Sequence, residues 1–555
     1  MIEFDNGVKT YRKLADKKLE ENDLEGALGF LLSARDKAKT HLAQIYMDIA
    51  DVYYEMGLYE IATNYWFKVL DRAHKSDVAE IYNALGLCYF NLDNPTVAAY
   101  YFNEQFLNTN GEVFFDEDMS ECFEQLLDAK NVYKVVYPPE KVDYSGELKK
   151  GKSAMTSYDI ESAVEHFSNI PEGSPDYERA QVDLSVAKFL TGDVDGAIEL
   201  NKKVLESNSK NVLALCNLAT MYRFKERPNL AEKYFSLIDE SYATEDDELY
   251  KVATTCCENG KHERAAENFE KLLKTRPYNT SIMFFYAVSL YNSGKFNESR
   301  DNFKRLLMLT EDNPVALYYY RLADNLVENG AKTTEPISYY FRLPEDVEKA
   351  NLKALASLLK MRSQGAIRKK FREKSTQELL SWCFTSTDKE VQRGACYFLS
   401  AVDNKQSEKM LLDKLIDPSI TDSIKGCIVN LLVMGDYEKT VGLVTSNVYR
   451  KLDFYPLYLQ SEFGEKFTDA YALAYSRAAI VGEYEMRMLY DSANAIYYEN
   501  EYSEALQKAE VNVIAGLIWA KSGIEEISSV EKIAKSFNCS KEELVSLMES
   551  IKNHE

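Results

Sequence analysis

Five small residues stand 34 positions apart: Ala163, Ala197, Ala231, Ala265 and Ser299. This spacing constrains the fold more than any other feature of the chain, because a fixed period of that size means stacked supersecondary units rather than one closed core. The surroundings repeat with it. Four residues later come Phe167, Asn201, Phe235, Phe269 and Phe303, and twelve residues earlier come Gly151, Ser185, Ala219, Ala253 and Ala287. Each unit therefore reads as a first helix with a small residue, a turn, a second helix with a small residue, and a ring one helical turn further on. Two helices approach closely only where neither carries a bulky side chain, and the ring fills the space beside the contact. Gly192, Gly260 and Gly294 fall between paired helices, where a residue tolerant of positive φ ends the first one.

An earlier block keeps looser time, with Ala27, Ala62 and Ala98 spaced by 35 and 36 residues. Its best unit runs Tyr82, Leu85, Gly86, Tyr89, Ala98 and Phe102. A last first helix carries Tyr319, Leu322, Ala323, Leu326 and Gly330, after which Thr333-Thr334-Glu335-Pro336 cannot begin a matching second helix. The pattern resembles the tetratricopeptide repeat, whose period is 34. Leu249, Val252, Ala253, Gly260, Ala265, Phe269, Leu272 and Pro277 carry the likeness best, and it covers residues 8 to 330. The resemblance implies an α-solenoid in which the first helix of each pair lines a concave, ligand-receiving face.

The expected class is all-α, a solenoid of helix-turn-helix pairs followed by a further helical region. Residues 1–107 form a first block, 108–145 a capping helix near 119–129 and a linker, and 146–343 a second block. Residues 344–450 change grammar. Val391 and Ile424 sit 33 apart in corresponding apolar helices, which resembles degenerate HEAT repeats, and the helix pairs extend to residue 448. Residues 451–555 hold long amphipathic helices and end on Ile533, Ala534, Phe537, Cys539, Leu544 and Leu547, the apolar spacing of a helix-turn-helix with Asn538 at its turn. That end raises a rival function, a transcriptional regulator touching DNA. Yet Glu525 to Glu555 holds seven acids against four lysines, the wrong sign for phosphates.

A net charge of −23 likewise argues against nucleic acid as the main partner. The opening residues show no charged region followed by an apolar run, and no apolar stretch approaches the length of a membrane span, so a cytoplasmic location is expected. Nine cysteines are an odd count, and Cys88, Cys216, Cys396 and Cys427 fit apolar stripes as buried thiols. The five histidines are scattered, none paired with a second ligand at helical spacing, and no phosphate loop or nucleophile elbow occurs. Neither a catalytic site, a metal nor a cofactor is expected. The acidic run Glu245-Asp246-Asp247-Glu248 reads as a helix amino end. The basic run Arg362, Arg368, Lys369, Lys370, Arg372 and Lys374 reads as a solvated helix face.

The resemblance places the working surface between the packing positions of the first helices. There stand Arg223, Phe224, Tyr250, Lys251, Phe284, Phe285, Tyr291, Asn292, Tyr320 and Arg321, an aromatic face with a few cations. Exposed rings in that number have a use, either a bound peptide or partner helix, or cover from the region after Pro336. The chaperone-type carboxylate clamp is disfavoured: Asn217 matches its central asparagine, but Val182 and Val186 stand where Lys and Asn belong. The reading is a non-enzymatic scaffold that binds a protein segment or peptide.

Overall fold

The computed structural model describes residues 6–38, 42–73, 78–109, 154–155, 160–168, 177–311, 313–330, 334–435, 441–451, 462–481, 486–500, 503–524 and 529–552. The expected capping helix near 119–129 and the joint at 136–145 lie outside them. The chain forms two compact units, one of residues 143–343 and one that joins residues 1–142 to 344–555.

In both units the repeat register becomes helix packing. The first block holds three hairpins: α1 (Asn6–Glu20) with α2 (Leu24–Lys37), α3 (Leu42–Glu55) with α4 (Tyr59–Leu70), and α5 (Val78–Asn91) with α6 (Pro95–Asn108). The small–small–large set recurs as Ala15, Ala27 and Leu31, then as Ala50, Ala62 and Trp66, all buried. In the third hairpin it is Gly86, Ala98 and Phe102, and a Cβ on Gly86 would collide with the Phe102 ring. Glycine is there because the ring takes the space.

The 143–343 unit continues with α7 (Ile160–Ser168), α8 (Tyr177–Leu190), α9 (Val194–Ser207), α10 (Val212–Phe224), α11 (Pro228–Phe235) and α12 (Asp246–Glu258). Then come α13 (His262–Thr275), α14 (Thr280–Asn292), α15 (Phe296–Thr310) and α16 (Pro314–Glu328). The five period residues lie on α7, α9, α11, α13 and α15 and are at most 3% exposed. How close the helices come is visible at Ser299, whose hydroxyl donates to the Ala287 carbonyl at 2.8 Å. The one polar deviation is matched within its own unit: Asn201, in the place of the ring, donates to the Ser185 hydroxyl and to the Ala197 carbonyl, each at 2.8 Å. A buried amide needs such partners.

The turns are equally regular. Gly192, Gly260 and Gly294 have φ of 91°, 67° and 77°, as their position in the repeat predicted. Glu226 holds the same place at φ 54°. Asn211, Asn279 and Asn313 cap α10, α14 and α16. The acidic run forms the amino end of α12, with Glu245 and Glu248 completing a capping box.

After residue 344, α17 (Glu345–Leu359), α18 (Gln364–Phe371), α19 (Lys374–Thr385), α21 (Lys405–Leu415) and α22 (Asp422–Met434) pack around α20 (Lys389–Val402). Residues Val391 to Cys396 of α20 are all buried. The last helices are α23 (Glu462–Val481), α24 (Met486–Asn500), α25 (Glu504–Lys508), α26 (Val511–Ser522), α27 (Val530–Ser536) and α28 (Lys541–Lys552). Val513 to Trp519 are buried, and α26 packs against α23, α24, α27 and α28. Asn538 turns between α27 and α28 at φ 48°, while Glu542, Glu543 and Glu549 are exposed, so the outer surface of α28 opposes phosphate.

The fold is all-α, and one element departs from the helix pairs expected up to residue 448. β1 (Gly442–Thr445) and β2 (Val448–Lys451) form an antiparallel hairpin, Thr445 facing Val448 across Ser446 and Asn447 at φ 45° and 70°. Two successive positive φ values give a turn whose twist suits a two-residue hairpin. A lone two-stranded ribbon is marginal in water, and this one is held by its neighbours. The Lys425 ammonium donates to the Val444 carbonyl at 2.6 Å, and Asp422 accepts from the Ser446 N–H and hydroxyl at 3.0 and 2.9 Å. On the other side the Tyr101 hydroxyl donates to the Asn447 carbonyl at 2.7 Å and accepts from the Tyr449 N–H at 3.2 Å. The Tyr449 hydroxyl reaches Asp71 at 3.1 Å, and its ring stacks on Phe67. The hairpin thereby ties the first block to the helices after residue 344. Beneath it, Lys389 pairs with Asp469 at 2.7 Å, Arg393 pairs with the buried Glu465, and Asp469 caps the Ser423 N–H at 2.9 Å.

Candidate peptide-binding face

The first helices of the 143–343 unit, α8, α10, α12, α14 and α16, present one face, and the expected residues divide along it. Arg223 and Phe224 close α10. Phe224 is 65% exposed with its edge on Phe189, and Arg223 donates to Asn259 at 3.2 Å. Tyr250 and Lys251 on α12 are half-buried, the Tyr250 ring packing against Phe269 and Phe285. On α16, Tyr320 is half-buried and Arg321 exposed.

Helix α14 corrects the expectation of an open face. Phe284 is 0% and Tyr291 2% exposed. Phe284 packs on Phe303 and Tyr319, and Tyr291 on Phe296 of the next helix. Phe285 and Asn292 are half-buried. The sequence of α14, Thr-Ser-Ile-Met-Phe-Phe-Tyr-Ala-Val-Ser-Leu-Tyr-Asn, has no polar stripe, and a helix apolar all round is covered on all sides. The cover is the chain's own segment 334–343.

That segment lies across the first-helix face, outside helix and strand. The Asn292 side chain holds both main-chain groups of Ile337, its amide donating to the carbonyl at 2.9 Å and its oxygen accepting the N–H at 2.7 Å. Two residues on, Tyr339 stacks on His262 with its hydroxyl 2.8 Å from Nδ1, and its ring meets Phe285. Two further on, Phe341 sets its edge against Phe284, centroids 4.7 Å apart. The Tyr319 hydroxyl donates to the Arg342 carbonyl at 3.1 Å, and that of Tyr291 reaches Thr334 at 3.5 Å. Outward-facing Ser338 and Arg342 are exposed, Tyr340 is 69% exposed, and Leu343 turns back in at 4%. Phe341 stays 46% exposed, and the chain bends over residues 339–342, where the Arg342 N–H donates to the Tyr340 carbonyl at 2.8 Å.

Burial keeps the titratable groups of this face neutral. Burial lowers the His262 pKa, so the imidazole is held neutral against Tyr339, whose phenol burial pushes well up. The Cys257 thiol, beside Tyr339, is pushed up to about 12 by burial and so is no nucleophile at neutral pH. Asn217 is buried and points its amide at Asn201, at 3.4 Å, and so does not serve a ligand carboxylate. His262, Tyr319, Tyr339 and Phe341 were not singled out as site residues by sequence reasoning. The signal available was the apolar α14 followed by the ring-rich run at 339–341.

Comparison with known proteins agrees with this architecture. The tetratricopeptide repeat family matches at residues 47–106 and 258–316. The TPR repeat-containing protein MJ1428 of Methanocaldococcus jannaschii is 26% identical over 242 residues, 40% of this chain and 41% of that protein. The TPR repeat-containing protein YvcD of Bacillus subtilis is 26% identical over 140 residues, 25% of this chain and 29% of that one. The chain thus spans less than half the length of these relatives. Among solved structures, YrrB, a TPR protein with an unusual peptide-binding site, aligns over 31% of this chain and 88% of its own at 18% identity and a TM-score of 0.26. MamA aligns over 34% and 96% at 16% identity and a TM-score of 0.22. With the family matched at residues 47–106 and 258–316 and its repeat register realised as packed helical hairpins, the chain carries tetratricopeptide repeats.

Proposed function

We propose that this protein is a non-enzymatic interaction scaffold whose first-helix face, on α12, α14 and α16, takes a peptide segment of a partner. Tetratricopeptide repeats support a role in protein–protein interaction in general, and the choice of this face rests on one observation. Asn292 grips both main-chain groups of Ile337. An amide used in this way recognises a peptide as a peptide, whatever its side chains, and the rings beside it supply apolar slots for alternate residues. Tyr250, Lys251, Tyr320 and Arg321 flank that grip and extend the surface available to a longer ligand. Among the described residues no helix is long and apolar enough to cross a membrane.

A random-peptide display selection on the full chain tests the proposal, repeated on a Tyr250→Ala/Asn292→Ala double variant of unchanged helicity. Selected peptides are expected to lose about tenfold or more in affinity on the variant, since truncation at the centre of an interface costs about 1–2 kcal/mol or more. Peptides that bind both proteins equally would remove this face from consideration.

A further inference from the structure

We infer that segment 334–343 is a displaceable internal ligand, and that the external partner carries its pattern: a residue held by its main chain, then tyrosine two positions on, then a second aromatic two positions further. The inference rests on the peptide-binding reading above and deepens it by naming the ligand and its competitor. Each anchor on the face asks for one feature. Asn292 asks for a free N–H and C=O on one residue, here Ile337. His262 and Phe285 form a slot for a ring with a hydroxyl, since Nδ1 lies 2.8 Å from the Tyr339 oxygen. Phe284 offers its ring to an edge-on aromatic, here Phe341. The Tyr319 hydroxyl asks only for a carbonyl one residue beyond that ring. Intervening positions face water and are unrestricted.

The segment is seated as a ligand is, not as a core element is. Phe341 remains 46% and Tyr340 69% exposed, and the helices beneath also pack on one another, Phe284 meeting Phe303 and Tyr319. Being tethered, the segment competes at an effective concentration on the order of millimolar. A partner with the same pattern gains access by making the same contacts and adding flanking ones to Tyr250, Lys251 or Tyr320.

The test uses the full chain and a labelled synthetic peptide with the sequence Thr334–Leu343. The variant Ile337→Ser/Tyr339→Ser/Phe341→Ser, which leaves every helix residue of the face intact, should bind this peptide at least about tenfold more tightly than the unaltered chain does. Adding Asn292→Ala should cancel the gain, and a scrambled peptide should not bind. A variant that binds the peptide no better than the scrambled one, while still binding display-selected peptides, overturns the internal-ligand inference and leaves the peptide-binding reading standing. A variant that binds neither kind overturns both. Should the triple variant fail to fold, the unaltered chain answers with excess unlabelled peptide: exchange protection at the Ile337 amide must fall as peptide is added, and unchanged protection overturns the inference. Dimers of the unaltered chain that vanish in the triple variant would also overturn it, by making a second copy the occupant.

Discussion

Replacing Tyr101 by phenylalanine should loosen the β-hairpin while leaving the packing of the first block in place. The ring is 0% exposed and packs among Phe67, Tyr82, Tyr89 and Tyr100, contacts that phenylalanine retains. What is lost is one oxygen that serves two main-chain groups, the Asn447 carbonyl at 2.7 Å and the Tyr449 N–H at 3.2 Å. In a hairpin with Thr445 opposite Val448, the next pair, Val444 and Tyr449, points its hydrogen-bonding groups outward. Neither strand can therefore take over from Tyr101. Leaving a buried donor or acceptor unpaired costs about 1–3 kcal/mol, so the local opening equilibrium should rise by roughly 5- to 150-fold. Native-state trypsin cleavage reports this directly, because Arg450 and Lys451 lie in β2 and are cut only when the hairpin opens. Cleavage there should accelerate by a factor in that range, with helicity by circular dichroism unchanged. An unchanged rate would refute the idea that Tyr101 fastens the hairpin.

Gly86→Ala should destabilise the first block by about 1–3 kcal/mol, because the new methyl collides with the Phe102 ring, while Gly29→Ala, with nothing near its Cβ, should stabilise it by about 0.5–1 kcal/mol. Urea unfolding of the two variants checks the opposite signs. Docking of segment 334–343 should be independent of pH above about 6.5 and weaken as the pH falls below it. Burial lowers the His262 pKa in the docked state, so the undocked imidazole takes up a proton first and that state gains. Its neighbours Tyr339 and Cys257, both shifted upward by burial, stay protonated throughout this window. Exchange protection of the segment at pH 7.5 and 5.5 checks the direction, and His262→Phe should flatten the dependence.

The solenoid was legible because its cause is local. A small residue every 34 positions, a ring four residues on and a left-handed turn between helices are properties of one hairpin, repeated. Even the exception followed the rule, Ser185 answering Asn201 where the ring is missing. The hairpin at 442–451 was not legible. Its turn is Ser446-Asn447 rather than the glycine-containing pairs that announce such turns, and its stability comes from Tyr101, Asp71 and Lys425, remote in sequence. The site was legible in part. First-helix positions named Asn292 and the rings of α14, but spacing alone reads an outward side chain as exposed. Phe284 and Tyr291 are covered because residues further along the chain return over them, and only the absence of a polar stripe on α14 hinted at that. The rings at 339–341 look like linker until the face they answer is known.

Asn292 holds the main chain of Ile337 on the first-helix face. Amide hydrogen exchange at Ile337 measures this most directly, in the unaltered chain and in Asn292→Ala. The N–H donates to the Asn292 oxygen at 2.7 Å, so the account predicts a slow Ile337 amide in a segment outside any helix or strand. In Asn292→Ala that protection should fall by about tenfold or more, while amides inside α14 and α16 keep theirs. An Ile337 amide that exchanges as fast as free peptide, or one equally slow in both proteins, would contradict it.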